Sequence, residues 1–547
     1  MDHMRLILAL VLSFLVFMAW NALFGPQSGP KPPAPERPLQ EGAAAPPQAA
    51  APAPPPLEQP PLAAREEIAS RTLIVDTPLY QARFREDAAA IESFILKRYR
   101  TRPEKDAPPM DLLPGKEGLA VPAVGLVKAA ALAEGAKGFQ AGLAGERLGL
   151  NEGGGELIFR SRALPGLEIE KIYRFRADSY LIELEVHFLN RTEKPFADSP
   201  WIALKNDFPP HKGSSAFEGP SALVDRSLEQ IPIGDIAKKS SLSGLVKWLA
   251  LENRYFMAAL VPIEPEAAEI ALRRLAANGV EARYAASPRT FEPGVPVKLS
   301  IELFFGPKSL QVVRAAGREL ERIVDFGTFD WLAKPCLWIL NFFYSLIPNY
   351  GVAIIILTVL TKILLWPLGT KSYKSMNQMK KLQPLLQEIR NRYKNDRKKM
   401  NEEIMRLHRT YNINPLGGCL PMLVQIPVFF ALYRMLDQAI ELRHAPFFGW
   451  INDLSAPDRL GNFDFAIPLM EPPYGIPVLT LVMGATMLWQ QKMTPTTGDP
   501  TQAKLMMLMP AFFTFIFINF SSGLVLYWLV NNVLSIGQQY YIQKKFG

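Results

Sequence analysis

Apolar residues follow two regimes along this chain. Over residues 66–325 they alternate with polar ones, and from residue 350 onward they gather into long blocks. In Ile182-Glu183-Leu184-Glu185-Val186-His187-Phe188 a period of two sends apolar and polar side chains to opposite faces of a sheet. Leu73–Phe84, Leu167–Phe175 and Val297–Phe305 have the same β-rich character, separated by turn-like clusters such as Asn151-Glu152-Gly153-Gly154-Gly155. The pattern predicts a mostly antiparallel β-sandwich over 66–325, with a helix near Leu310–Val324.

The blocks read differently. Residues 4–24 form an apolar run of about 20 residues, longer than the h-region of a signal peptide and suited to an uncleaved N-terminal transmembrane anchor over residues 1–25. From Pro26 to Pro61 there are 14 prolines in 36 residues, so 26–65 is a Pro/Ala-rich linker that packs no core. Phe329–Ile347 is aromatic, apolar and broken by Pro335, which suits an amphipathic helix at the membrane interface over 326–349. Five spans are then expected within 350–547: Tyr350–Leu368, Gly417–Ala439, Gly475–Gln491, Leu505–Asn519 and Ser522–Tyr540, the last two forming a hairpin about Phe520-Ser521. Most carry polar residues (Thr358, Thr361 and Lys362; Gln425; Thr486; Thr514; Tyr527, Asn531 and Asn532), which suggests a shared hydrated interior.

Lys362 is the sharpest of these. Holding a charge near the middle of a bilayer costs about 2.5–3.5 kcal/mol on insertion scales, which makes an intramembrane lysine a functional candidate. Its long stem also allows the plainer reading, an ammonium reaching toward the headgroups.

Charge orients the chain. The net charge is +8 with 60 Lys and Arg, and twelve of these lie in Lys371–Arg409 against four acids. The segment Glu441–Glu471 has five acids and only Arg443 and Arg459. The positive-inside rule puts the first segment in the cytoplasm and the second outside, with both termini cytoplasmic and the β-module periplasmic. Within the basic segment Met376, Met379, Leu382, Leu385 and Ile389, then Met400, Ile404, Leu407 and Tyr411, recur at three- and four-residue steps. Two amphipathic helices over 371–413, joined near Asn395-Asp396, would present Lys380, Lys381, Arg390, Arg392, Lys394, Arg397, Lys398 and Lys399. Lipid headgroups and ribosomal RNA are both suitable partners for such density.

Two cysteines, Cys336 and Cys419, allow no CxxC or zinc spacing, and no GxxxxGK[ST] loop occurs, so neither a metal site nor a cofactor is expected. His187 on a polar strand face and His211 after a Pro-Pro turn read as solvated surface histidines rather than a catalytic pair.

Several runs carry a resemblance. Met376-x-x-Met379-x-x-Leu382-Gln383-Pro384, Asn414-Pro415-x-Gly417-Gly418-Cys419-Leu420-Pro421 and Gln425-x-Pro427-x-Phe429-x-Ala431-Leu432-Tyr433 resemble the YidC/Oxa/Alb family of membrane insertases. So do Gln491-Lys492-Met493-x-Pro495-Thr496-Thr497 and Ser522-Gly523-Leu524-Val525-Leu526-Tyr527, and the match covers about the last 220 residues. The resemblance implies a five-helix core around a hydrophilic groove, open to the cytoplasm and to lipid and closed toward the periplasm. It implies a periplasmic β-super-sandwich like that of sugar mutarotases, without established enzymatic activity. Lys362 takes the place of the family's groove arginine; Thr358, Gln425 and Tyr527 match groove or client-facing positions, and Trp528 replaces a tyrosine. The implied partners are nascent membrane proteins, the ribosome, the Sec translocon and the bilayer, with a monomer as the working unit. Some relatives dock ribosomes through a long basic C-terminal tail. This chain ends at Lys544-Lys545-Phe546-Gly547, which turns that expectation to Lys371–Arg409 and Lys492–Lys504. A solute transporter or channel would use the same polar interior, and a tethered carbohydrate-active enzyme would use the β-module; flux and sugar-turnover assays separate these.

Overall fold

The computed structural model describes residues 71–113, 119–143, 145–209, 216–275, 278–411, 420–493 and 500–546. The expected anchor and linker, His211, Cys419 and most of the Asn414–Pro421 motif lie outside them.

Two main sheets build the first part, beside a two-stranded ribbon of Phe196–Asp198 and Arg289–Phe291. In the smaller, Thr72–Asp76, Tyr80–Arg85, Ala90–Arg100 and Pro109–Asp111 pair antiparallel in sequence order, and Arg147–Gly149 lies parallel to the first. The β-rich stretch Leu73–Phe84 is thus a hairpin. The Thr77 hydroxyl accepts from the Leu79 and Tyr80 amides at 3.2 and 3.0 Å, turning the chain before Tyr80. The larger sheet has 13 strands, all antiparallel. It bends within Ser241–Glu252, whose first half pairs with Ala267–Arg274 and whose second half pairs with Phe256–Pro262.

Alternation decides the layers. Along Leu181–Asn190 the side chains of Ile182, Leu184, Val186 and Phe188 are wholly buried, while Glu183, Glu185 and His187 face outward. The sheets meet through aromatic rings: Phe84 lies 5.0 Å from Tyr173 and Phe94 lies 5.0 Å from Phe305, centroid to centroid. The expected helix near Leu310–Val324 divides into α1 (Leu310–Ala316) and a 3-10 turn (Leu320–Ile323). Between them Gly317, Arg318 and Glu319 take positive φ, which no helix continues through.

The remainder is helical. Helix α2 (Asp330–Leu346) buries Ala333, Cys336, Leu337 and Leu340 and exposes Trp331, Trp338 and Phe342, an amphipathic division despite Pro335 within it. Helix α3 (Tyr350–Arg392) begins with Asn349 capping the Val352 amide at 3.1 Å and runs unbroken for 43 residues. The expected end at Leu368 therefore does not occur; Pro367 and Pro384 are both carried within the helix. Its distal half turns near Tyr393–Asp396 into α4 (Arg397–Thr410), and Met379, Leu382 and Leu386 form a small core with Leu385, Ile404 and Leu407.

Helices α5 (Leu420–Gln438), α6 (Val478–Met493), α7 (Pro500–Phe517) and α8 (Ser522–Phe546) complete the bundle. The predicted third span starts late, because Tyr474–Ile476 is a short strand on Leu460–Phe463 and the helix begins only after Pro477. Among the described residues, α3 alone is long and apolar enough by composition to cross a membrane, and Met506–Phe517 is a shorter apolar helical stretch.

Candidate functional site: a polar cavity among helices

A cavity of about 390 Å³ opens among α3, α5, α6 and α8. From α3 it is lined by Lys362, Gly369, Ser372, Tyr373 and Met376, from α5 by Gln425, Ile426 and Phe429, and from α6 by Gln490. Helix α8 supplies Tyr527, Trp528, Asn531, Asn532, Ser535 and Gln538, residues spaced by one, three and four, which keeps them on one face.

The Lys362 stem turns inward. Its ammonium donates to Ser535 Oγ at 2.6 Å, and that hydroxyl donates to the Asn531 carbonyl at 2.7 Å. Its sequence neighbours Ile363 and Leu364 face outward, 62% and 79% exposed. Among the described residues no carboxylate pairs with Lys362. The result is a cation held by one neutral hydroxyl inside a half-apolar cavity, with spare donors for an anionic visitor.

Opposite it, Gln425 Nε2 donates to Tyr527 Oη at 2.9 Å, tying α5 to α8. Tyr527 is buried, and Trp528 stands edge-on to Phe429 at 4.9 Å. Toward the far end Gln538 Nε2 donates to the Trp366 carbonyl at 3.1 Å, while Gln539 and Gln543 donate to the Met493 carbonyl at 2.9 and 3.2 Å. A Cβ at Gly369 would come within 2.9 Å of the Gln538 amide, so α3 and α8 pack tightly there.

Six of the sequence-derived residues (Lys362, Gln425, Tyr527, Trp528, Asn531 and Asn532) converge on this cavity. Thr358 does not. It is fully buried one turn away, and its hydroxyl donates back to the Ile354 carbonyl at 2.7 Å. Ser535, Gln538, Gln490 and Tyr373 were not singled out from sequence; the spacing 527, 531, 535, 538 was the available signal. The basic cluster lies on the α3–α4 hairpin. Lys380, Lys381, Arg392, Lys394, Lys398 and Lys399 are exposed and Arg390 is half-buried, while the Arg397 side chain lies outside the described residues. Arg392 reaches Glu388 at 3.4 Å.

In the sheets His187 sits between Glu170 and Glu185, at 3.4 and 3.3 Å, within a ladder of surface charges. No group of three metal-ligating side chains occurs among the described residues.

Comparison with known proteins adds two family profiles, "60Kd inner membrane protein" over residues 342–547 and "YidC periplasmic domain" over residues 72–339. The chain is 42% identical to the membrane protein insertase YidC of Syntrophus aciditrophicus, over 86% of this chain and 85% of that one. It is 41% identical to the protein of the same name from Syntrophobacter fumaroxidans, over 99% of both. Among solved structures, an active YidC insertase with its first transmembrane domain resolved aligns at TM-score 0.36 and 18% identity, over 86% of this chain and 95% of that one. A galactose mutarotase-related enzyme from Lactobacillus acidophilus aligns at TM-score 0.30 and 10% identity, over 43% of this chain and 97% of that one.

Proposed function

The chain belongs to the YidC family of membrane protein insertases, and we propose that its polar cavity is the groove that receives the hydrophilic tail of a client. The family is one of inner-membrane insertases with a periplasmic domain, and the fold is that of a helical membrane protein joined to an antiparallel β-domain. Clients are nascent membrane proteins. In the proposed arrangement residues 1–25 are an anchor, 26–65 a linker, 66–325 the periplasmic domain, 326–349 an interfacial helix and 350–547 the insertase core. Both termini and the 371–413 hairpin are cytoplasmic, as the positive-inside rule requires.

The observation that carries this reading is the Lys362 ammonium in the cavity, bonded to Ser535 with no carboxylate pairing it among the described residues. A short hydrophilic tail entering from the hairpin side exchanges water for Gln425, Asn531, Asn532, Gln490 and Gln538 without meeting the full hydrocarbon thickness. Acidic groups on the tail are drawn to Lys362 in a medium far less screening than water. The client's apolar span then leaves sideways into lipid, driven by burial of about 25 cal/mol per Å². This step needs no nucleotide. Trp528, Phe429 and Ile426 give the cavity an apolar wall along which such a span can slide.

The exposed basic face of the hairpin suits the ribosome or lipid headgroups, both phosphate-rich. Work alone or beside the Sec translocon fits the same cavity, which is built within one chain. The test is Lys362→Glu in reconstituted vesicles with a client bearing an acidic translocated tail. Insertion should be abolished; normal insertion would sink the reading.

A further inference from the structure

Three helices of the bundle end on one short stretch of the loop between α5 and α6. Asp458 is 2% exposed, and its Oδ2 accepts from the Leu479 and Thr480 amides at the first turn of α6, the Thr480 bond at 3.4 Å. Its Oδ1 is fixed by the Trp450 indole N–H at 2.5 Å. The next residue faces the opposite pole. Arg459 donates to the Ile518 carbonyl, just past the end of α7, at 2.8 Å, and to Asn519 Oδ1 at 3.2 Å and the Pro473 carbonyl at 2.8 Å. The backbone of the same stretch caps α8: the Ala456 and Leu454 carbonyls accept from the Ser522 and Gly523 amides at 2.7 and 2.9 Å.

Each group has the sign its helix end requires. Unpaired amides make a helix start partly positive, and unpaired carbonyls make its end partly negative. A carboxylate therefore holds the start of α6 and a guanidinium the end of α7, from adjacent residues of a single strand of chain. There is no slack at α8, because a Cβ on Gly523 would come within 3.1 Å of the Leu454 carbonyl. Tyr527, the outermost cavity residue of α8, follows one turn later, and Gln490 of α6 lines the same cavity.

We propose that Asp458 and Arg459 form a two-charge staple, positioning residues that pin the outer ends of α6, α7 and α8 and so seal the cavity on the side away from the basic hairpin. The inference rests on reading that cavity as the client groove. It predicts that neutralising either charge opens the bundle outward while leaving the hairpin-side entrance as it is.

The experiment uses the full chain in vesicles, with Cys336 and Cys419 replaced by serine and Asn531→Cys as the sole thiol, labelled by a membrane-impermeant maleimide from each side. The parent should label from the hairpin side only. Asp458→Asn and Arg459→Gln should each raise labelling from the opposite side about tenfold, as expected for loss of a charge-assisted cap. Asp458→Glu, which keeps the charge, should stay close to the parent. Unchanged protection in both neutral variants overturns the proposal, as does equal labelling of Asp458→Glu and Asp458→Asn. Arg459→Gln leaves the α6 cap whole, so it tests the staple even where Asp458→Asn fails to fold. Should client insertion prove independent of Lys362 while the labelling shifts as expected, the groove reading fails and the staple stands.

Discussion

Lys362 presents one compact ammonium, and Ser535 is the neighbour that holds it. Arginine there would offer a wider, planar fork of donors with the same charge. Lys362→Arg should therefore retain insertion of an acidic-tailed client, and Lys362→Ala should slow it about tenfold, the factor that corresponds to about 1.4 kcal/mol of lost attraction. Full activity of the alanine variant in a vesicle insertion assay would reduce Lys362 to a bystander in a merely hydrated cavity. Lys362 was legible in the sequence because a charge inside an apolar block is rare. Ser535 was not, since a serine in a helix usually bonds its own preceding turn, and here it does that as well as receiving Lys362. Thr358 shows the reverse: the resemblance implies a groove position for it, yet its hydroxyl is spent on Ile354.

At the scale of elements, periodicity served the strands and the hairpin well. Ile182 to Phe188 alternate in burial as they alternate in type, and Met379, Leu382, Leu385, Ile404 and Leu407 meet in the hairpin core. Where one helix ends was less legible. The change near Leu368 from an apolar to a basic, amphipathic composition reads as a stop, yet the backbone carries the helix through it and through Pro367. The start of α6 was hidden for a related reason, Gly475 and Ile476 being apolar enough to read as part of the span although they form a strand. The hairpin core is small, so its members matter individually. Leu386 is 4% exposed against α4, and Leu386→Ala should release α4 from α3 at a cost of about 2–3 kcal/mol. Hydrogen exchange should then accelerate across Arg397–Thr410 and stay unchanged across Leu181–Asn190. Faster exchange in both regions would mean that the hairpin is not the independent unit its separate core implies.

For the whole molecule, one hydrophobic core runs from the β-domain into the bundle, and a few polar side chains cross the junction beside it. Arg254, in the turn between Ser241–Glu252 and Phe256–Pro262, donates through Nε to the Asp437 carbonyl at 2.7 Å and through Nη2 to Asp437 Oδ1 at 2.8 Å. A guanidinium thus caps the last turn of α5 from another domain, where the helix end is partly negative. Arg443 lies over the Phe256 ring at 5.2 Å. Truncation to Arg254→Ala removes this partner from a half-buried carboxylate and should cost about 1–3 kcal/mol, whereas the double change Arg254→Met with Asp437→Leu should recover most of it. Thermal unfolding of the full chain measures both, and equal losses in the single and double variants would show that the domains are held elsewhere. The same junction has a pH sign. Ser309 donates to Glu441 at 3.0 Å, and burial raises the Glu441 carboxyl above its ordinary range. A raised folded-state pKa means that the folded junction holds the proton more tightly than the unfolded chain does. Its contribution is therefore complete below the unfolded value of 4.5 and is lost as pH rises through the folded one. Glu441→Gln fixes the protonated shape, so the melting temperature of the variant should fall less than that of the parent between pH 5 and pH 8. Parallel slopes for the two proteins would mean that Glu441 carries no proton into the folded junction, and that Ser309 donates there to a carboxylate already charged.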